Sequence, residues 1–274
     1  MFAVRTLLFK ALTSEHLSWA VVHGDKDLVE YFLNGGCEIN EATIDLACAI
    51  NPDIALLIMQ RDHEQIGINA IENLAGNGWI NALKYALENI DVDVFLDEMH
   101  RLHLSFNKTI RFEQCGEHNH LQALDMVLDY TKKQKCMENF CDQEKNHRAP
   151  EWLNNFVLHF ANNIEVLNTV APYAQPSDME DYARLNANKG KLDGVEYWLN
   201  KMPNKGNCAK KIFETAAKNN QTKLCTVVVN YIEVGAHFAD KRVQDVYDKI
   251  VSEQQRHMLI NNIPLGGENK LRRI

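Results

Sequence analysis

Hydrophobic positions recur along this chain in a fixed order. At Gly24, Asn51, Gly78, Asn119, Asn162, Gly190 and Asn220 a short apolar helix signal runs into Gly or Asn, and hydrophobic residues follow two, five and eight positions later. The sets include Val29 and Phe32; Leu56 and Met59; Ile80, Leu83 and Ala86; and Leu121, Leu124 and Val127. Further along they are Ile164, Leu167 and Val170; Leu192, Val195 and Trp198; and Cys225 with Val228. Steps of three return to nearly the same face of a 3.6-residue helix, so each set predicts a stripe on the helix after its anchor. Gly and Asn most easily take the left-handed backbone that ends a helix. The anchors lie 27, 27, 41, 43, 28 and 30 residues apart, in the range where self-similarity signals a repeat array. The pattern predicts an all-α chain, a solenoid of about seven stacked helical hairpins capped by terminal helices.

Small residues sharpen this reading. Ala20 with Val21, Ala47 with Cys48, Leu74 with Ala75 and Ala216 with Ala217 stand three and four positions before their anchors. Small side chains there let two antiparallel helices approach closely. Segments 17–40 (LSWAVVHGDKDLVEYFLNGGCEIN), 185–201 (LNANKGKLDGVEYWLNK) and 214–238 (ETAAKNNQTKLCTVVVNYIEVGAHF) combine these features. In this they resemble the ankyrin repeat, with its alanine pair, Gly turn, striped second helix and Gly-Ala/Cys-x-hydrophobic-Asn exit. Gly36, Cys37, Glu38, Ile39 and Asn40 fit that exit, and Gly235, Ala236, His237 and Phe238 fit part of it. The resemblance spans residues 14–238 as architecture and three or four units as sequence. No Thr-Pro-Leu-His helix start occurs, several units are shorter than the usual 33 residues, and residues 100–150 carry insertions. A generic α-solenoid of divergent helix pairs is the alternative.

The organisation expected is one elongated helical-repeat domain over 1–260, followed by a flexible tail, 261–274. Lys132–Pro150 is the longest polar interruption, and an insert at 132–149 would divide the domain into sub-stacks 1–131 and 150–260. Pro52, Pro150, Pro172, Pro176 and Pro203 fall at helix starts or between apolar runs, where a fixed φ and a missing N–H do least harm. Phe2–Phe9 is apolar but broken by Arg5 and followed by Lys10. It lacks the uninterrupted apolar run of a secretory signal and reads as a capping helix. No apolar run approaches the 18 or so residues that cross a bilayer, so no membrane insertion is expected.

Composition and charge narrow the function. The chain is 46% hydrophobic and 24% charged, with a net charge of −8. That balance argues against nucleic acid, whose binding requires clustered cations, and favours protein partners with basic or mixed surfaces. Lys132, Lys133 and Lys135, and again Lys270, Arg272 and Arg273, read as solvated loop and tail. Seven scattered cysteines, several at apolar repeat positions, read as reduced core thiols of a cytoplasmic protein.

Candidate chemistry concentrates at His100, His103, Cys115, His118, His120, Cys136, Cys141 and His147. Zinc takes four N or S ligands, and Cys115, His118, Cys136 and Cys141 could supply two pairs. A cysteine nucleophile paired with a histidine is the other chemistry this region admits. Asp91, Asp93, Asp97 and Glu98 read as a solvated helix start, because a calcium loop needs a glycine at its sixth position. Gly266-Gly267 has neither the strand nor the helix of a phosphate loop. No motif calls for a cofactor.

The expected function is a non-enzymatic protein–protein interaction module. In ankyrin-like stacks the binding face is formed by the ends of the first helices and the connecting tips. The positions just before the anchors trace that row here as His23, Asn77, His118, Lys189 and Asn219, interrupted by Ile50 and Ala161. Trp19 and Trp79 are added as aromatic anchors. Richness in Asn, Lys and Ile is shared with divergent ankyrin-like arrays of intracellular bacteria and large viruses. The resemblance therefore implies an effector, acting in a host cell cytosol, or a regulator of another protein. The alternative is an enzyme using cysteine or zinc chemistry in the 100–150 region.

Overall fold

In a computed structural model the recurring turns can be followed bond by bond. The structure describes residues 13–101, 112–138 and 152–260; at 97–101, 135–138, 152 and 258–260 only the helical backbone is described. Among the described residues the regular secondary structure is all helical, without strands. Their helices are α1 (Ser14–Val22), α2 (Lys26–Asn34), α3 (Glu41–Ile50), α4 (Pro52–Arg61), α5 (Ile68–Gly76), α6 (Ile80–Asn89), α7 (Val92–Arg101), α8 (Glu113–Glu117) and α9 (Leu121–Glu138). They continue as α10 (Trp152–His159), α11 (Ile164–Val170), α12 (Pro176–Asn188), α13 (Leu192–Lys201), α14 (Lys205–Lys218), α15 (Thr222–Val228) and α16 (Lys241–Ile260), with 3-10 turns at Ala171–Tyr173 and Val229–Tyr231. Helix α9 carries the first residues of the polar stretch after Lys132.

One turn is used five times. Gly24, Gly78, Asn119, Gly190 and Asn220 have φ of 66°, 70°, 58°, 69° and 57°. Each left-handed residue donates its N–H to the carbonyl three back, as Gly24 to Val21, and the next residue donates to the carbonyl five back, as Asp25 to Ala20. This pair of bonds satisfies carbonyls that a helix end leaves open. The residue after the left-handed one then starts the second helix: Val29, Leu83, Leu124, Val195 and Cys225 donate to the carbonyls of Asp25, Trp79, His120, Lys191 and Gln221. Gly36 (φ 79°) closes α2 in the same way.

Two anchors depart from the left-handed expectation. Asn51 is extended (φ −151°) and caps α4, accepting from the N–H groups of Asp53 (2.9 Å) and Ile54 (3.2 Å). Pro52 follows directly, and a residue before proline is pushed to extended backbone. Asn162 is not left-handed either; the helix start falls to Asn163, whose side chain accepts from Val166 N–H at 3.2 Å. Asp91 caps α7 through Asp93 and Val94 N–H, at 2.8 and 3.1 Å.

The stripe is also shifted. Residues five and eight after the anchors are core, as Val29, Leu83, Leu124, Leu167, Val195 and Val228 show, but the residue at plus two is peripheral; Ile164 is 63% exposed. Leu56 is half-buried, and Ile54, Ala55, Ile58 and Met59 form the α4 core face, because α4 begins without the intervening turn residue. The small pairs are buried as expected.

The chain divides into two units, residues 1–146 with 150–156, and 147–149 with 157–274, the division falling within α10. In the first, α1, α3, α5 and α8 pack in sequence as one row, α2, α4, α6 and α9 as a second, and α7 adds to α5. Polar bonds tie neighbouring hairpins: Ser18 Oγ to Thr43 Oγ1 (3.0 Å), Asn69 to Asp45 Oδ2 (3.1 Å), and Arg61 to Asn34 (2.6 Å). In the second unit α12, α14 and α16 form one row and α13 and α15 the other. Phe213, Phe238 and Tyr247 pack together beneath its last helix, and Tyr247 Oη donates to the Glu233 carbonyl at 3.0 Å.

Candidate interaction surface

The repeated turn dictates which residues reach solvent. The small buried pairs, Ala20 with Val21, Leu74 with Ala75 and Ala216 with Ala217, stop one residue short of the last helical position, and the residue after that position ends the helix. His23, Asn77, His118, Lys189 and Asn219 are these C-cap residues, of α1, α5, α8, α12 and α14. All are exposed except the half-buried Asn77. The backbone of the turn is constant while its C-cap side chain varies among His, Asn and Lys, so the tips are a place where chemistry changes without disturbing the fold.

In the first unit the tips carry rings. His23 lies against Trp19 with centroids 4.0 Å apart, and its Nδ1–H donates to the Trp19 carbonyl at 2.8 Å. Trp19 is 55% exposed, as is neighbouring Val22 at 54%, while Trp79 is half-buried at the N-cap of α6. His118 and His120 stand edge to face at 5.6 Å. His120 Nδ1 is 2.8 Å from the Gly76 carbonyl; a carbonyl only accepts, which places the proton on Nδ1. The His120 ring also covers Gly78, where an added Cβ would come within 2.9 Å of it. His120 thus joins two successive tips, a role that residue type and spacing did not single out.

In the second unit the corresponding row borders an open cleft of about 400 Å³ between α12 and α14. Arg184, Asn188, Lys211, Glu214, Thr215 and Gln221 give it polar walls, and buried Ala187, Ile212, Ala216 and Leu224 its floor. Lys189 follows the lining residue Asn188 in the chain, and Asn219 stands two residues before the lining residue Gln221. The sequence signal for the cleft is a local run of lysines, hidden by the acidic total.

The thiols point the other way. Cys37, Cys48, Cys115, Cys208 and Cys225 are free and buried. Burial pushes Cys115 up to about 12 and Cys208 and Cys225 up to about 11, and raises Cys48 and Cys37 as well. A thiol held protonated is a poor nucleophile and a poor metal ligand. Of the proposed zinc ligands, Cys115 faces the core and His118 solvent at the end of the same helix; the side chain of Cys136, and Cys141, lie outside the described residues. His103, His147, the expected N-terminal capping helix and the 261–274 tail also lie outside them. No described helix is long and apolar enough to cross a membrane.

No family model matches this chain, and no match is found among curated proteins or solved structures.

Proposed function

We propose that this chain is a non-enzymatic protein-interaction module, built as an ankyrin-like solenoid of helical hairpins, that binds another protein through its hairpin tips. The observation that carries the reading is the turn repeated at Gly24, Gly78, Asn119, Gly190 and Asn220, which fixes the scaffold and leaves the C-cap side chains free to differ. Exposed Trp19 beside His23 supplies the kind of aromatic contact that dominates interface energetics. The buried, protonated Cys115 supports a non-catalytic reading of its region. A more specific version, an effector acting on a host protein or a regulator of another effector, rests on composition.

The test is quantitative affinity capture with the whole chain beside a variant carrying Trp19→Ala, His23→Ala and His118→Ala. These side chains are largely exposed, so the variant should keep its helicity and unfolding midpoint within about 0.5 kcal/mol per site. Stoichiometric recovery of one protein by the parent and its loss with the variant is the expected result. Equal recovery by both, or no partner together with one tightly held zinc per chain, would sink the reading.

A further inference from the structure

The charge of this protein is divided very unequally. Residues 184–223 hold nine Lys and Arg against three Asp and Glu, whereas the rest of the chain holds twenty against thirty-four. Three of the nine are occupied on aromatic faces: Lys201 over Tyr197 and Lys205 over Tyr231, both at 5.4 Å, and Lys210 over Phe238 at 5.2 Å. The other six, Arg184, Lys189, Lys191, Lys211, Lys218 and Lys223, are exposed and sit on α12, α14, the tip after α12 and, for Lys223, the first turn of α15. Arg184, Lys211 and Lys218 meet Asp181 (3.8 Å), Glu180 (3.3 Å) and Asp240 (3.9 Å), pairs that solvent weakens. Among the described residues, Lys189, Lys191 and Lys223 form no ion pair. Glu214 is the one acid lining the cleft.

We infer that this cleft and its two tips are the docking site for an acidic, extended polypeptide segment whose carboxylates meet the lysines and whose apolar side chains enter the cleft. The inference rests on the interaction reading above and names the chemistry of the partner at one place on it. The apolar floor of Ala187, Ile212, Ala216 and Leu224 calls for side chains that a phosphate backbone lacks. No aromatic residue lines the cleft to stack a base. The acidic remainder of the chain opposes a long polyanion, while a short acidic segment stays within a Debye length, about 10 Å at 0.1 M salt, of the basic tips.

Fluorescence anisotropy tests it with the full-length protein and two labelled probes: a peptide alternating Glu with Ala and Leu, and a single-stranded oligonucleotide of equal charge. The peptide is expected to bind more tightly than the oligonucleotide, with affinity falling as salt rises. The variant Lys189→Glu, Lys191→Glu, Lys223→Glu should bind the peptide at least about tenfold more weakly, and the corresponding Gln variant should fall between. Matching circular dichroism and unfolding midpoints establish that all three proteins are folded. Equal peptide binding by parent and Glu variant, no peptide binding at all, or tighter oligonucleotide binding would each overturn the inference. A partner captured through Trp19, His23 and His118 but indifferent to the Glu variant would overturn it too, and leave the general interaction reading standing.

Discussion

The α5–α6 and α12–α13 hairpins share one turn and differ in nearly everything that the turn holds together. Gly78 and Gly190 have φ of 70° and 69°, and the same pair of backbone bonds closes both. The first hairpin is packed with Leu74, Ala75, Ala82, Leu83 and Ala86, all buried. In the second, fully buried Asn186 stands where Leu74 would be, Gly194 replaces Ala82, and Trp198 replaces Ala86. Side chain and space change together: a Cβ at Gly194 would collide with the Asn186 carboxamide oxygen. The Asn186 amide donates to the Tyr182 carbonyl at 2.8 Å, but its Oδ1, the Trp198 Nε1 and the Tyr182 Oη have no hydrogen-bond partner among the described residues. Local backbone chemistry therefore specifies the hairpin, while its core needs only complementary volumes and tolerates unpaired polar atoms that cost about 1–3 kcal/mol each.

The sharpest way to break this comparison is at its largest side chain. Trp198→Ala should lose about 3–5 kcal/mol of stability in chemical denaturation, as large aromatic truncations in a core do. Trp198→Phe removes the unpaired N–H and keeps most of the packing, so it should cost under about 1.5 kcal/mol; equal losses for the two would show that the indole nitrogen is bonded after all. Next comes the turn. Gly78→Ala should cost more than Gly24→Ala, because both bear about 1–2 kcal/mol of left-handed strain, but only at Gly78 does the new methyl also meet the His120 ring. If His120→Ala restores no part of the difference, the ring is not the obstacle. The smallest stability effect is expected at Asn186→Ala, within about 1 kcal/mol of the parent, since the substitution deletes an unpaired acceptor and installs a residue the other hairpins use. A loss above about 2 kcal/mol would mean that the polar core is required.

The thiols extend the contrast to pH. Cys115, Cys208 and Cys225 have folded values near 11 to 12, above an ordinary unfolded thiol near 8.5. The unfolded chain therefore ionises first. Stability from these groups is complete below about pH 8.5 and is lost as pH rises through 11 to 12. Unfolding midpoints should be level from pH 7 to 8 and fall by pH 10, and iodoacetamide should label these thiols at neutral pH only in denaturant, as mass spectrometry would read.

Much of the hairpin arrangement was legible because Gly24, Gly78, Asn119, Gly190 and Asn220 combine a local backbone demand with a periodic core, both of which leave marks in the sequence. Asn51 misled because its type fits two caps, and only Pro52 beside it decides between them. Asn186 reads as a surface residue, since burial of a polar side chain depends on space made eight residues away at Gly194. The cleft was obscured for a different reason: a net charge sums over surfaces that never act together, and the lysines around Lys189 and Lys223 are visible only when the charge is counted by segment.

The turn that ends α1, α5, α8, α12 and α14 is closed by bonds spanning at most five residues, and the helix contacts in each unit run mainly between neighbours. Such a hairpin carries its own instructions and asks little of distant sequence, so loop-closure entropy stays low and assembly can begin at more than one place. The same independence makes a whole hairpin, rather than a residue, the natural unit of inheritance: one could be duplicated, lost or exchanged by a single recombination, with only its immediate neighbours required to adjust.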